Sequence, residues 1–357
     1  MEDRKEDWAP IRQHYPGLAG QTYLDTGSMG LMARSTMEAA SAEQERLGQA
    51  GSTRGIHWMM EGFPQIAGEV AAHIGGHAAG TVLFQSFTAG LSRIAPLLKH
   101  RPKVLLVGGD YPTLHGPFRW NGFEVAMVHP AADGSISVEL LAAALERERP
   151  QLVGISQVQW GTGSTIDLKA FGELCSAHGA WSIVDITQSW CCVPVDLRTS
   201  PIDIIGGSGY KWPLAGFGNG FFHLSAEVRS ELSARNGFDP VKVLSEGHLD
   251  PVAQVRLRDA LKRHAAMGAE SVWARVRELG QYAVQRFDRA GIRVLHGRDP
   301  ATRAGILILE GGADRLDLLK AAGMPAQLRG AGIRIGVHFY NEEAEIDRMV
   351  AVLAGAE

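Results

Sequence analysis

The chain is constrained most by a rhythm in its middle section. Seven short apolar runs follow one another: "TVLFQ" (81–85), "KVLLVGG" (103–109), "FEVAMVH" (123–129), "QLVGISQV" (151–158), "AWSIVD" (180–185), "PIDIIGG" (201–207) and "GNGFFHL" (218–224). Helical patterns lie between them, including "SVELLAAALERER" (137–149) and "LKAFGELCSAHG" (168–179), the second closed by Gly179 in a C-cap position. Strands that are apolar throughout have no wet face. Alternating with helices, they predict an α/β fold, a mostly parallel sheet sandwiched by helices.

From about residue 251 the texture changes. "PVAQVRLRDALKRHAAMGAESVWARVRELGQYAVQRFDRAG" reads as two long helices broken near Gly268. Short strands at "GIRVLHG", "AGILILEGG" and "AGIRIGVHF" and a closing helix "EEAEIDRMVAVLAG" follow. The expected division is a large domain over 17–250 and a smaller α+β C-terminal domain over 251–357, with residues 1–16 packed near it; 357 residues suit that size. Net charge is −4 with no long basic run, so nucleic-acid binding is not expected and any anionic ligand must be held by local groups. No apolar run is long enough to span a bilayer, and the charged start "MEDRKEDWAP" lacks a signal-peptide core. Cys175, Cys191 and Cys192 form no CxxC and no disulfide framework, which fits a cytoplasmic setting.

In open α/β sheets, ligands bind beyond the carboxyl ends of the strands. Lys211 falls there, after "PIDIIGG" and "SGY". A lysine at the end of a buried strand loses hydration, its pKa falls, and it becomes a nucleophile suited to an aldehyde; the alternative is a surface lysine with a snorkelling stem. Asp185 ends "AWSIVD", where a carboxylate needs a partner. It either caps the following turn or keeps a pyridine nitrogen protonated, as in pyridoxal phosphate enzymes. Gln188 can turn back beside such a ring. "SFTAGLSR" (86–93) offers Phe87, Thr88 and backbone N–H groups at a helix start, suited to a phosphate. Ser208 and Tyr210 add hydroxyls from a second strand end, and Tyr111 in "GGDYPTLHG" can stack on a ring.

Together these residues resemble the class V aminotransferase family of fold-type I pyridoxal phosphate enzymes, with its desulfurase-, kynureninase- and isopenicillin N epimerase-like branches. The resemblance runs from "TYLDTGSMG" to "IRIGVHFYNEEAEID" and is carried mostly by "VDITQSWCCVPVDL" and "IIGGSGYKW". It implies pyridoxal 5'-phosphate as cofactor, held as an aldimine by Lys211. Asp185 then pairs with the pyridinium, Gln188 contacts the ring oxygen, Tyr111 stacks, and Thr88, Phe87, Ser208 and Tyr210 surround the phosphate end. Arg334 in "GIRIGVHFYN" grips the substrate carboxylate with a bidentate fork. Ser28, and His57, Trp58 and Arg54 of "STRGIHWMMEGF" (52–63), are candidate substrate contacts, the latter three within reach of a dimer partner's site. Their other reading is an amphipathic connector with core aromatics. The family's sites lie at a homodimer interface, so a homodimer is expected.

The sequence departs from the family in four places. Tyr210 precedes the lysine and Tyr111 covers the ring where desulfurases carry histidines. Trp160 stands at the position of a usual asparagine, and Cys191 at that of a usual glycine. No cysteine follows Cys192, which argues against persulfide chemistry. Transamination of a small α-amino acid needs only Lys211 as proton carrier and is the expected activity. A C–S or C–C lyase, an epimerase and a non-catalytic cofactor-binding protein remain as alternatives. His73 and His77 have helical ligand spacing but no third ligand in sequence, so no metal is expected. "GFGNG" is not a dinucleotide fingerprint.

Overall fold

In the computed structural model, described over residues 7–245, 247–296, 299–330 and 332–355, all seven apolar runs join one sheet. The strands are β1 (Thr81–Phe84), β2 (Lys103–Val107), β3 (Glu124–Val128), β4 (Leu152–Ser156), β5 (Trp181–Asp185), β6 (Ile204–Ser208) and β7 (Gly220–Leu224). Their order is β1-β7-β6-β5-β4-β2-β3. Only β7 runs antiparallel to its neighbours; the other pairs are parallel. Alternate residues serve opposite faces, as the period of two requires. Leu105, Val107, Ile155 and Ile205 pack with Ile66 and Val70 of the helix Phe63–His73. Val104, Leu106, Ile183 and Ile204 pack with Phe87 and Leu91 of the helix Phe87–Ile94. Both faces are covered, which explains why these strands show no polar alternation.

A second, three-stranded antiparallel sheet has the order β8-β10-β9, with β8 (Ile306–Glu310), β9 (Gln327–Arg329) and β10 (Gly332–Gly336). The strand expected at "GIRVLHG" does not form; that segment makes only a single bridge, Val294 to Leu309. Leu295 and Arg293 do bond to β8, but the Ile308 N–H goes to the His296 ring nitrogen at 2.7 Å, so a side chain interrupts the ladder. β9 lies in "MPAQLRGAG", which has no strand pattern; three residues are too few to show a period.

The two long helices are Pro251–Met267 and Ala269–Arg289, broken at Gly268 with φ 82°. The first lies on the helices Arg34–Ala50 and Phe63–His73 and sends Leu257, Ala260 and Leu261 into the core of the large sheet. The second sends Leu279, Ala283 and Phe287 into the core of the small one. The change of core partner therefore falls at the Gly268 break. Near the N-terminus, Arg12 bonds to the Tyr340 carbonyl at 2.6 Å and to Glu345 at 2.8 Å, against the closing helix Glu343–Ala354. No helix among the described residues is long and apolar enough to cross a membrane.

Candidate active site

The carboxyl ends of the parallel strands meet along one edge of the large sheet. Asp185 is the last residue of β5 and Ser208 the last of β6; register sets Ser156 beside Asp185 and Asp185 beside Gly206. A cavity of about 170 Å³ opens there. Its walls hold Lys211, Asp185, Gln188 and Tyr111, with Phe87, Thr88, Ser208 and Tyr210 at the end nearer the helix Phe87–Ile94. Thus all the residues expected to hold the cofactor share one cavity.

Lys211 is 5% exposed, and its Nζ lies 5.2 Å from the Tyr111 ring centre and 5.3 Å from that of Tyr210. Burial pulls the amine down to about 8; the Arg334 charge adds to the effect and Asp185 opposes it. The segment "TGSMG" crosses behind it. Gly30 donates its N–H to the Tyr210 carbonyl at 2.9 Å, and a Cβ there would sit 2.0 Å from the Lys211 carbonyl oxygen. Only glycine permits that approach.

Asp185 is buried, with Oδ1 accepting from the Thr187 N–H at 2.8 Å. Burial pushes its acid up to about 7; the Thr187 hydrogen bonds and the Lys211 charge resist, and Asp110 adds repulsion. In the cofactor-free protein, a folded acid at about 7 against an ordinary value of 3.8 holds a proton that the unfolded chain has released. Stability should therefore fall as pH rises from about 4 to about 7. Lys211 acts in the opposite sense: its unfolded amine keeps a proton that the folded one has lost, so stability rises from about 8 towards 10.5. Asp185→Asn is expected to flatten the acidic arm and, by removing the charge that opposes the Lys211 shift, to widen the alkaline one. Melting temperatures of both proteins across this range check it, and an unaltered acidic arm in the variant sinks the assignment.

The end of the cavity at the helix Phe87–Ile94 is built by cross-links between strand ends. The Phe87 N–H donates to Ser208 Oγ at 2.8 Å, and the Ser208 N–H to Thr187 Oγ1 at 3.2 Å. Ser86 caps the helix Phe87–Ile94 by accepting from the Ala89 N–H at 3.2 Å. Gln188 is clamped: its Nε2 donates to the Gly27 carbonyl at 3.1 Å, while its Oε1 accepts from the Trp212 indole at 2.8 Å. Tyr210 stacks on Phe217 at 4.9 Å, and Tyr111 meets Trp160 edge-on at 5.5 Å.

Arg334, on β10, stands beside the cavity without lining it, close enough for its charge to act on Lys211. It is 3% exposed, donating from Nη2 to Ser28 Oγ at 2.7 Å and from Nη1 to the Trp160 carbonyl at 3.4 Å. Its Nε is buried and has no hydrogen-bond partner. A guanidinium with an uncommitted edge fits an incoming carboxylate. Ser28 thus touches the arginine that would hold the substrate. The donor set of the cavity suits a phosphorylated pyridine: a buried amine, a buried acid and a hydroxyl-lined helix start.

None of the expected substrate contacts lines this cavity: Arg334 and Ser28 stand beside it, and Trp58, Arg54 and His57 lie elsewhere. Trp58 is 2% exposed and packs on Phe63, with its indole N–H donated to Glu43 at 2.6 Å. Arg54 forks onto the same carboxylate with two bonds of 2.7 Å. His57 is partly exposed and pairs with Glu61 at 3.4 Å. Within one chain the buried Glu43 takes up the Arg54 and Trp58 donors and Glu61 takes up His57, so none of the three serves the cavity of its own chain. Trp58→Phe is expected to lower stability by about 1.5–3 kcal/mol, the range for a hydrogen bond to a charged group, and to leave cofactor absorption unchanged. Urea denaturation and a visible spectrum check both.

Other contributors escaped sequence reasoning. Asp110 is buried and accepts from the Tyr111 N–H (2.6 Å), from Ser156 Oγ and N–H (2.6 and 2.8 Å) and from Gln159 (3.1 Å), fixing the turn that carries Tyr111. The signal was present: an acid directly after "LLVGG" needs partners. Of the departures, Trp160 lines the cavity and commits its indole N–H to the Gly109 carbonyl at 2.9 Å. Cys191 has φ 62°, a left-handed conformation that explains why glycine suits this position. Cys191 and Cys192 are both buried, their thiols pushed up by burial, Cys192 to about 12, and neither lines the Lys211 cavity.

The family model "Aminotransferase class-V" matches residues 118–349. Isopenicillin N epimerase of Streptomyces clavuligerus is 27% identical over 92% of this chain and 93% of its own length. The cysteine desulfurase IscS of Serratia proteamaculans is 25% identical, over 65% of this chain and 63% of its own. Among solved structures, a C-DES mutant with glycine covalently linked to its PLP cofactor superposes with a TM-score of 0.87 at 19% identity, covering 96% of this chain and 98% of that one. The apo cysteine desulfurase of Thermococcus onnurineus NA1 gives 0.85 at 15% identity, covering 97% of each chain. With its fold, its strand-end lysine and acid and a family match over most of its length, the chain belongs to the class V aminotransferase family of pyridoxal phosphate-dependent enzymes.

Proposed function

We propose that this protein is an aminotransferase acting on a small α-amino acid, with pyridoxal 5'-phosphate attached at Lys211. Bound there, the cofactor supplies a sink for the electron pair released when a bond at the substrate Cα breaks. Asp185 holds the proton of the pyridine nitrogen, and Gln188, clamped between Gly27 and Trp212, borders the ring. Tyr111 covers a ring face. Ser208, Thr88, Tyr210 and the N–H groups of the helix start hold the phosphate. Arg334 orients the substrate by its carboxylate, with Ser28 holding the guanidinium.

The observation that carries the reading is Lys211. It is the one amine among the described walls of the cavity, and those walls include no thiol. An amine of depressed pKa at this position would carry the proton taken from the substrate Cα at near-neutral pH. Transfer of sulfur onto an enzyme thiol would need a cysteine that these walls do not offer.

The test supplies amino donors in D2O and follows keto acid and pyridoxamine phosphate. Both are expected; absence of both removes the transaminase reading. A second reading is epimerisation, favoured by the relative that matches nearly end to end. It would give inverted, deuterated amino acid without keto acid. A homodimer and a cytoplasmic setting belong to the same proposal. Exposed Ile56, Met59 and Met60, beside an apolar cavity of about 420 Å³ lined by Met59, Phe63 and Leu249, support self-association.

A further inference from the structure

His73, Cys191 and His264 come from three separate segments. His73 ends the helix Phe63–His73, Cys191 lies in the turn after β5, and His264 sits in the helix Pro251–Met267. His73 Nε2 is 2.9 Å from His264 Nδ1 and 3.8 Å from Cys191 Sγ, and the three atoms lie within 4.8 Å of one another. The sequence paired His73 with His77 and found no third ligand; the fold replaces His77 with two residues more than 100 positions away. These groups line a cavity of about 190 Å³, whose other walls include Trp190, Val193 and Pro194.

The spacing matches a known chemistry. Zinc bound tetrahedrally, at ~2.0–2.1 Å from nitrogen and ~2.3 Å from sulfur, separates its ligand atoms by roughly 3.3–3.5 Å. The His73–His264 pair is shorter than this and the His73–Cys191 pair slightly longer, while the Cys191–His264 pair, within 4.8 Å, closes by up to about 1.3 Å through side-chain rotation. The backbone adds a second argument. Cys191 keeps a left-handed φ of 62°, where a side chain is unfavourable, and that conformation places its sulfur against His73.

We propose that His73 Nε2, His264 Nδ1 and Cys191 Sγ bind a thiophilic d¹⁰ cation such as Zn(II), with a fourth position open to the adjoining cavity. The protons balance as follows. The Trp190 indole can only donate, so in the unloaded state His73 accepts at Nδ1 (3.3 Å) and donates from Nε2 to His264 Nδ1. On loading, Cys191 releases its thiol proton to solvent. The His73 proton moves from Nε2 to Nδ1, and Trp190 gives up its long bond there. His264 Nδ1 offers its lone pair directly. The ion would tie the turn that carries Gln188 to two helices. The proposal is independent of the reaction assigned above.

The test uses the full-length holoenzyme, loaded with zinc sulfate and dialysed against a weak chelator. Metal analysis should find about one zinc per chain, with a sulfur ligand in X-ray absorption. Cys191→Gly suits the left-handed backbone and removes the sulfur. Its zinc Kd, by competition with a chromophoric chelator, should rise at least about 100-fold, beyond the 10–100-fold loss typical of an outer-shell partner. His264→Gln is the second variant and should lose zinc likewise. No retained zinc in the unmodified protein, or equal retention in both variants, overturns the site.

Discussion

Lys211→Ala is expected to abolish the covalent attachment of pyridoxal phosphate and to lower kcat by about 10³-fold or more. A positioned proton carrier alone is worth about 10²–10⁴-fold, and this residue also anchors the cofactor. The argument is geometric first. Lys211 lies 5% exposed between two tyrosine rings, in a cavity that also holds Asp185. Its depressed pKa leaves a neutral fraction near pH 7 to 8 that an exposed lysine lacks. Borohydride reduction and peptide mapping locate the attachment. A labelled peptide without Lys211, or a variant with unchanged visible spectrum and rate, ends this assignment. Lys211→Arg is the companion, because it retains charge and bulk; it should be as inactive as the alanine variant.

Arg334→Gln is expected to lower kcat/KM for α-amino acids by about 30-fold or more, the equivalent of about 2 kcal/mol for removing one partner of a buried, hydrogen-bonded charge pair. The arginine is buried, bonded to Ser28 and the Trp160 carbonyl, and left with an unpartnered Nε. A substrate carboxylate completes it. The effect should depend on that carboxylate. Amine analogues lacking it are expected to be poor substrates of the unmodified enzyme and to lose little further in the variant. Equal losses on acids and amines would point to a damaged scaffold instead. Cofactor absorption should persist, since Arg334 lies on the small sheet and Lys211 on the large one.

The wall of the Lys211 cavity was legible because several of its groups follow apolar runs. Asp185, Ser208 and Lys211 are marked by the strands before them, and parallel strands put their carboxyl ends together. The substrate end was less legible. Trp58 and His57 form an aromatic and basic pattern that suits a pocket wall as well as a core; the partner that decides is Glu43, on another helix, with no local signal. Asp110 was passed over because its partners Ser156 and Gln159 lie on another strand end. The missing strand at "GIRVLHG" turned on one imidazole occupying a backbone N–H, which periodicity cannot register.

Local order along the chain was enough to determine the α/β class, the strands of the large sheet and the lysine and acid at their ends, since burial on both faces leaves a continuous apolar trace. Tertiary packing alone decided which distant side chains share a cavity. It turned Trp58 inward, brought Arg334 across from the second sheet and set His73 against Cys191 and His264. The physical reason is range: strand and helix patterns arise from neighbours a few residues apart, whereas hydrogen bonds and charge pairing act over a few ångströms between segments that sequence separates by a hundred residues or more.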